Sequence, residues 1–314
     1  MFFRPLGNTG IEVSALAMGT VSLGINYGIK APGQFGRPDE TEAIRLLHKA
    51  ADAGINIFDT APAYGESEHL LGKTIGRRQG CIIATKVLTP SDENGMPISG
   101  VRLKQEINKS IDQSLRNLRR DVLDIVQIHN ATREIIQRGE LVEALLQTKQ
   151  QGKIRFLGAS TYGEEASLAV IEAGCFSVLQ VAYNILDQRM SQRVFPVAEK
   201  AGVAIMSRSV LLKGALSAKA QWLPQELEQL RQVVHRTKDV LNVSWRHLPH
   251  AAIRFCLSSP NVSCVLVGVR TEAELTEALE ALESGPLSAD KLAGTKCLAI
   301  TEERLLNPSY WSVP

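Results

Sequence analysis

Short apolar segments alternate along this chain with longer segments in which apolar residues recur every three or four positions. The short segments are rich in β-branched residues and nearly continuous, which is typical of strands buried on both faces of a sheet. Eight such segments lie at residues 14–20, 55–61, 81–87, 122–130, 154–160, 177–184, 203–210 and 263–269. The pattern therefore predicts eight strands separated by helices.

The longer segments carry ordinary helix signals. Residues 39–54 combine apolar positions at helical spacing with a glycine stop at Gly54, and residues 98–118, 143–153 and 225–244 show similar spacing. Eight strands alternating with helices predict an α/β fold, a (β/α)8 TIM barrel. A doubly wound sheet is the main alternative, but no glycine-rich dinucleotide fingerprint follows the first strand.

The connections suggest where this barrel carries its site. Residues 2–13 are predicted to form a hairpin at the barrel bottom, with a turn at the sequence GNTG. Long connections at 21–40, 88–100 and 211–223 leave the C-terminal ends of strands, where barrel enzymes build their sites. No linker or internal repeat divides the chain, so we predict one domain over residues 1–314.

Composition narrows the class of protein. With 44% hydrophobic and 22% charged residues, the chain can bury a large core, and a net charge of +2 gives no reason to expect nucleic acid or an anionic membrane as partner. No segment approaches the roughly 20 apolar residues of a membrane span. Five widely spaced cysteines predict reduced thiols and a cytoplasmic location. Nothing in the sequence specifies an oligomeric state.

Four ionisable residues fall at the ends of three consecutive predicted strands. Asp59 ends the second strand and Tyr64 follows it by five residues, while Lys86 ends the third strand and His129 the fourth. Singly, each residue has an ordinary structural explanation, such as a loop-capping acid or a core histidine. Together on one rim of a barrel, they indicate a shared site.

The chemistry of these four groups favours carbonyl reduction. A tyrosine has an ordinary pKa of about 10, and a nearby ammonium favours the phenolate and lowers that pKa. An aspartate beside the lysine keeps it protonated, and a neutral histidine can donate a hydrogen bond to a carbonyl oxygen. Such a site can protonate that oxygen as negative charge develops on it. Because no side chain supplies a hydride, a nicotinamide cofactor is implied.

The segment NIFDTAPAYGESEHLLG (56–72), followed by IIATKV (82–87) and DIVQIHN (124–130), resembles the aldo-keto reductases. The resemblance covers nearly the whole chain. It implies a barrel that binds NADPH, with Tyr64 as general acid and His129 positioning the carbonyl. It further implies that Lys86 tunes Tyr64 and that Asp59 orients Lys86.

The resemblance also implies a cofactor site. It assigns Ser160 and Gln180 to the nicotinamide amide, and Gly19 and Thr20 to the nicotinamide ribose. Arg208 stands where an aromatic residue usually stacks on the nicotinamide, and a planar guanidinium can stack as well. The implied cofactor-binding residues are Gly19, Thr20, Asp59, Ser160, Gln180, Ser207, Arg208, Ser209, Leu211, Gly268, Arg270 and Glu274.

The residues at the phosphate end of the implied cofactor site leave the choice between NADP and NAD open. Gly268 frees the backbone beside the phosphates, and Arg270 is placed for a 2′-phosphate, which argues for NADP over NAD. Glu274 stands where the family often has glutamine or arginine, and Ala278 where an asparagine often contacts the adenine. An acid near a 2′-phosphate is unfavourable, so NAD use stays possible.

Two other functions are compatible with these residues. A cofactor-binding regulatory or sensor protein with vestigial catalysis is one alternative, and a lyase that forms a Schiff base on Lys86 is another. His247 and His250 lie three residues apart, but we expect Pro249 to interrupt any helix between them and predict no metal site.

The substrate is expected to be a small carbonyl compound or a sugar. Its pocket is predicted to be lined by residues of the long connections and the tail. The candidate aromatic lining residues are Tyr27, Trp222, Tyr310 and Trp311.

Overall fold

The structure is a computed structural model that describes residues 1–313, so Pro314, the last residue of the predicted domain, lies outside the described residues. Eight parallel strands close into a barrel in which the last strand pairs with the first. The predicted (β/α)8 fold is therefore confirmed. Within the described residues, no helix is both long enough and apolar enough to span a bilayer.

The strands follow the predicted apolar segments closely. Their bounds are β1 Phe3–Pro5, β2 Glu12–Ser14, β3 Leu16–Gly19, β4 Ile57–Asp59, β5 Ile82–Val87, β6 Leu123–Ala131, β7 Ile154–Thr161, β8 Val178–Ala182, β9 Ala204–Arg208 and β10 Val262–Gly268. The first predicted strand, 14–20, differs from the structure. Ser14 belongs to the hairpin strand β2, and its hydroxyl donates to the Leu16 carbonyl where the chain turns into the barrel.

The α-helices lie between the barrel strands and after the last one. Their bounds are α1 Val21–Gly24, α2 Glu40–Asp52, α3 Ser67–Thr74, α4 Gly100–Leu118, α5 Arg133–Arg138, α6 Glu140–Gln150, α7 Glu164–Glu172, α8 Met190–Ala201, α9 Glu228–Val240, α10 Leu248–Leu257, α11 Glu272–Glu283, α12 Ala289–Thr295 and α13 Glu303–Leu306. The four predicted helical segments correspond to α2, α4, α6 and α9.

The N-terminal hairpin closes the bottom of the barrel, as the sequence predicts. β1 and β2 pair antiparallel, and the turn between them carries Gly10 at φ 73°, a conformation that glycine adopts without strain. Leu6 and Val13 are fully buried among residues at the strand starts, such as Ile57 and Val178. This plug leaves the opposite, C-terminal ends of the strands as the open face of the barrel.

Helix α4 shows how the apolar spacing produces the outer core. Leu103, Ile107, Ile111 and Leu118 recur at helical spacing and are all buried against the barrel wall. Each fully buried aliphatic side chain of this kind contributes about 1.5–3 kcal/mol. Repetition of this packing around the ring fixes the strands and the side chains at their open ends.

The expectation about Pro249 is wrong. Helix α10 begins at Leu248 with Pro249 in its first turn, where a missing N–H costs nothing. The flanking histidines contact serines: His247 Nδ1 lies 2.8 Å from the Ser244 hydroxyl, and His250 Nε2 lies 3.2 Å from that of Ser284. Within residues 1–313, no group of three or more potential metal ligands is clustered.

Candidate active site

A cavity of about 760 Å³ opens at the C-terminal ends of the barrel strands. Its size falls within the ~300–1,000 Å³ typical of small-molecule and cofactor sites. It extends from the barrel interior, where Asp59, Tyr64 and His129 lie, to Glu274 in the first turn of α11. The cavity therefore joins the predicted catalytic residues to the predicted phosphate end.

Lys86 and Asp59 form a buried ion pair at the inner end of this cavity. Lys86 Nζ donates to Asp59 Oδ2 at 2.7 Å and to the Thr60 carbonyl at 2.9 Å. Burial alone would lower the pKa of Lys86, but the Asp59 carboxylate and Tyr64 raise it above its ordinary value. Lys86 is thus held as an ammonium at neutral pH.

The second oxygen of Asp59 accepts two further hydrogen bonds. Gln127 Nε2 donates to Oδ1 from 3.1 Å and Gln180 Nε2 from 2.7 Å. Donors from β5, β6 and β8 therefore fix one carboxylate. Sequence reasoning missed Gln127, although it lies two residues before His129 on β6, and alternation along a strand places both on the same face.

Tyr64 lies against both Lys86 and His129. Lys86 Nζ is 4.8 Å from the centroid of the Tyr64 ring, and the His129 ring meets Tyr64 edge-on at a centroid distance of 5.9 Å. Gly24 leaves room for the backbone of Tyr64, because a Cβ at Gly24 would lie 1.8 Å from the Tyr64 carbonyl oxygen. The structure thus brings together the four residues that the sequence places at the ends of three consecutive strands.

His129 is poised as a neutral imidazole. Burial, together with the Lys86 ammonium, lowers the pKa of His129 to about 4, against the opposing effect of Asp59. At neutral pH the ring can therefore donate one N–H without bringing a second positive charge beside Lys86. This is the protonation state needed to hold a carbonyl oxygen.

We expect this low pKa to make folding sensitive to acid. Below its ordinary value of 6.5, the unfolded chain binds a proton on His129, whereas the folded chain does so only below about 4. The contribution to the free energy of unfolding therefore falls by about 2 kcal/mol between about pH 7 and about pH 5. Urea unfolding of wild type and of His129→Asn at both pH values measures this contribution. An equal fall in the free energy of unfolding of the two proteins would contradict the prediction.

Comparison with known proteins assigns the chain to a family. The sequence model of the Aldo/keto reductase family matches residues 15–298. The chain belongs to the aldo/keto reductase family. Among its relatives, L-galactose dehydrogenase of Arabidopsis thaliana is 29% identical, with 98% of this chain and 97% of the relative covered.

Two further comparisons agree with this membership. The NADH-specific methylglyoxal reductase of Escherichia coli (strain K12) is 25% identical, with 91% of this chain and 95% of the relative covered. The holo form of aldo-keto reductase AKR11C1 from Bacillus halodurans has a TM-score of 0.78 at 28% identity, covering 97% of this chain and 99% of that structure.

Two glycines leave open space on the cavity wall of this aldo/keto reductase. Gly19 and Gly268 are register partners on β3 and β10, and both line the cavity. A Cβ added at Gly19 would meet no protein atom within 3.8 Å, and one at Gly268 none within 3.5 Å. The missing side chains therefore leave space that a flat ligand can occupy.

Most of the predicted cofactor residues line this cavity. Those that do are Gly19, Thr20, Asp59, Ser160, Gln180, Arg208, Ser209, Leu211, Gly268, Arg270 and Glu274. Ser207 departs from the prediction, since it is fully buried and its hydroxyl donates to the Tyr183 carbonyl. Gln180 uses one N–H on Asp59, which leaves its second N–H and its carbonyl oxygen for an amide.

Arg208 is held flat beside the predicted catalytic residues. Its guanidinium stacks 4.0 Å from the centroid of Tyr162, and Nη2 donates to the Thr161 carbonyl at 2.9 Å. Its Nε is buried with no hydrogen-bond partner among the described residues. Because Tyr162 covers one face of the guanidinium and Arg208 lines the cavity, a planar ring bound there can stack on Arg208 only from the opposite face.

The predicted aromatic lining is largely wrong. Only Tyr27 among the four candidates belongs to the cavity wall. Trp222 and Tyr310 are 54% and 63% exposed, and Trp311 is packed in the core with its Nε1 donating to the Arg304 carbonyl. The tail instead contributes Pro308 and Ser309 to the wall.

Proposed function

We propose that this protein interconverts a small aldehyde, ketone or sugar carbonyl and its alcohol, with Tyr64 as the proton donor in reduction. The observation that carries the proposal is the buried Lys86 ammonium, which contacts the Asp59 carboxylate at 2.7 Å and the Tyr64 ring at 4.8 Å. A bound reduced nicotinamide supplies the hydride in this chemistry. The chain itself must bind the carbonyl, orient it and deliver one proton.

Each residue then has a defined task. His129 donates an N–H to the carbonyl oxygen and Tyr64 donates its hydroxyl proton to the same oxygen as negative charge develops there. The ammonium of Lys86 stabilises the resulting phenolate. Asp59, which Gln127 and Gln180 hold in place, keeps that ammonium protonated and fixes its orientation. In alcohol oxidation the same residues act in reverse.

The substrate class follows from the cavity wall and from the relatives. Tyr27, Asn130 and Tyr162 place polar groups on the wall beside Tyr64, which suits a hydroxylated substrate better than an extended apolar one. The relatives are named as a sugar dehydrogenase and a methylglyoxal reductase. Small hydroxylated or dicarbonyl compounds are therefore proposed, with NADP(H) or NAD(H) as cofactor and the cytoplasm as location.

The geometry disfavours the Schiff-base alternative. A lysine that attacks a carbonyl must lose its proton, and such lysines have a lowered pKa. The pKa of Lys86 is instead raised, and its Nζ is occupied by Asp59 and the Thr60 carbonyl. Lys86 also does not belong to the cavity wall, so a substrate meets Tyr64 and His129 first.

A carbonyl panel tests the proposal. The purified protein is incubated with NADH or NADPH and aldoses, methylglyoxal or nitrobenzaldehyde, and the oxidised dinucleotides are tried with the alcohols. We expect dinucleotide-dependent turnover of at least one small carbonyl compound. A protein that binds dinucleotide but reduces none of them, even in a single turnover, would instead be a cofactor-binding sensor. Borohydride trapping of substrate on Lys86 would favour the lyase.

A further inference from the structure

We propose that Glu274 makes this cavity discriminate against a 2′-phosphate, so that the protein binds NAD(H) in preference to NADP(H). The inference rests on the proposed function only in taking a nicotinamide dinucleotide as the ligand. It concerns the outer end of the cavity, away from the catalytic four.

Glu274 is already engaged with two of the cations on this part of the cavity wall. Its Oε1 lies 3.1 Å from Arg270 Nη2 and 3.5 Å from Lys219 Nζ, and its Oε2 accepts the backbone N–H of Arg270 at 2.7 Å. The side chains of Arg270 and Lys219 are only 13% and 18% exposed. One carboxylate thus compensates two largely buried cations on the cavity wall.

The backbone around this cluster limits how far it can rearrange. Arg270 Nη1 donates to the Gly36 carbonyl, which ties the guanidinium to the connection after β3. Thr271 caps α11 by accepting the N–H of Glu274, so the acid is fixed in the first helical turn. Arg270 therefore cannot turn towards a new anion without breaking two contacts.

The two dinucleotides place different groups on such a cluster. A 2′-phosphate carries nearly two negative charges at neutral pH, and it must share Arg270 with a carboxylate of the same sign. A ribose diol is neutral, and its hydroxyls can donate to a carboxylate. Glu274 therefore repels the 2′-phosphate of NADP(H) and accepts a hydrogen bond from the ribose of NAD(H). With two cations against one acid, NADP(H) is weakened rather than excluded.

Calorimetric titration with NADH and NADPH measures this preference without catalysis. Wild type is expected to bind NADH more tightly than NADPH. Glu274→Gln should tighten NADPH binding by about tenfold and weaken NADH binding, so that the preference reverses. Glu274→Asp, which keeps the charge, should retain the wild-type order.

Glu272→Gln is the matched control. Glu272 lies in the same turn of α11, but its carboxylate pairs with Arg45 and Lys49 of α2 and does not line the cavity. Glu272→Gln removes the same charge from the same helical turn as Glu274→Gln does. It leaves the contacts of Arg270 in place. Both affinities should stay at their wild-type values, and thermal unfolding of each variant verifies that it is folded.

The outcomes separate this inference from the proposed function. Tighter binding of NADPH than of NADH by wild type overturns the role of Glu274 but leaves the reductase proposal intact. An equal effect of Glu272→Gln and Glu274→Gln also overturns it, since the effect would then come from net charge. If neither NADH nor NADPH binds wild type, both proposals are overturned together.

Discussion

Replacement of Tyr64 by phenylalanine is expected to lower kcat for carbonyl reduction by about 10³-fold, the scale of a lost general acid. The phenyl ring keeps its contacts with Lys86 and His129, so only the hydroxyl group, the proposed proton donor, is removed. Stability and dinucleotide affinity should therefore be close to those of wild type. Steady-state kinetics, thermal unfolding and a calorimetric titration of the variant measure the three quantities.

Tyr183→Phe provides the control for Tyr64→Phe. Tyr183 is a buried tyrosine whose ring packs against Phe195 and Phe255, and it does not belong to the cavity wall. It loses the same hydroxyl group away from the reaction and should retain wild-type turnover. Turnover by Tyr64→Phe at a rate close to wild type would remove Tyr64 from its role as proton donor.

Replacement of Lys86 by methionine is expected to destabilise the fold as well as the reaction. The change removes the ammonium but leaves the Asp59 carboxylate buried, with only the amides of Gln127 and Gln180 as donors. Breaking a buried ion pair from one side costs about 3–5 kcal/mol. Without a cation beside the phenol, kcat should also fall by at least about 10²-fold. Urea unfolding and steady-state kinetics measure the two effects.

The double variant Asp59→Asn/Lys86→Met separates the two effects. It removes both charges from the buried site, and a neutral pair in the same space recovers most of the lost stability. Turnover should remain as low as in Lys86→Met, because the ammonium is still absent. If Lys86→Met unfolds at the same urea concentration as wild type, the ion pair contributes nothing to the stability of the fold. Recovery of turnover in the double variant would show that Tyr64 does not need the cation.

The barrel could be predicted because each strand carries its own signal. Strands buried on both faces must be apolar throughout, so residues 82–87 and 123–131 are recognisable without knowledge of their neighbours. The parallel arrangement then puts every strand end on one face. This is why Asp59, Lys86 and His129 could be assigned to a common rim before any distance was known.

The partners of polar side chains could not be predicted in the same way. Gln180 donates to Asp59 across the barrel interior, and Arg208 at the end of β9 stacks on Tyr162, which follows β7, although β8 lies between these two strands. Neither contact has a local sequence pattern. The loop after β9 is a further case, since Ser209 and Lys213 adopt positive φ although neither is a glycine. Such backbone strain is maintained by the surrounding packing and leaves no mark on composition.

The sequence by itself determined the fold, the open face of the barrel and the chemical types gathered there, because these depend on periodicity and on the order of strands along the chain. Only the tertiary structure decided which oxygen of Asp59 receives which donor, that Trp311 packs in the core, and that Glu274 binds both Arg270 and Lys219. The contacts of Asp59 with Lys86 and of Glu274 with Lys219 join segments far apart in the chain. Their geometry depends on how the connections fold over the barrel, which local patterns do not encode.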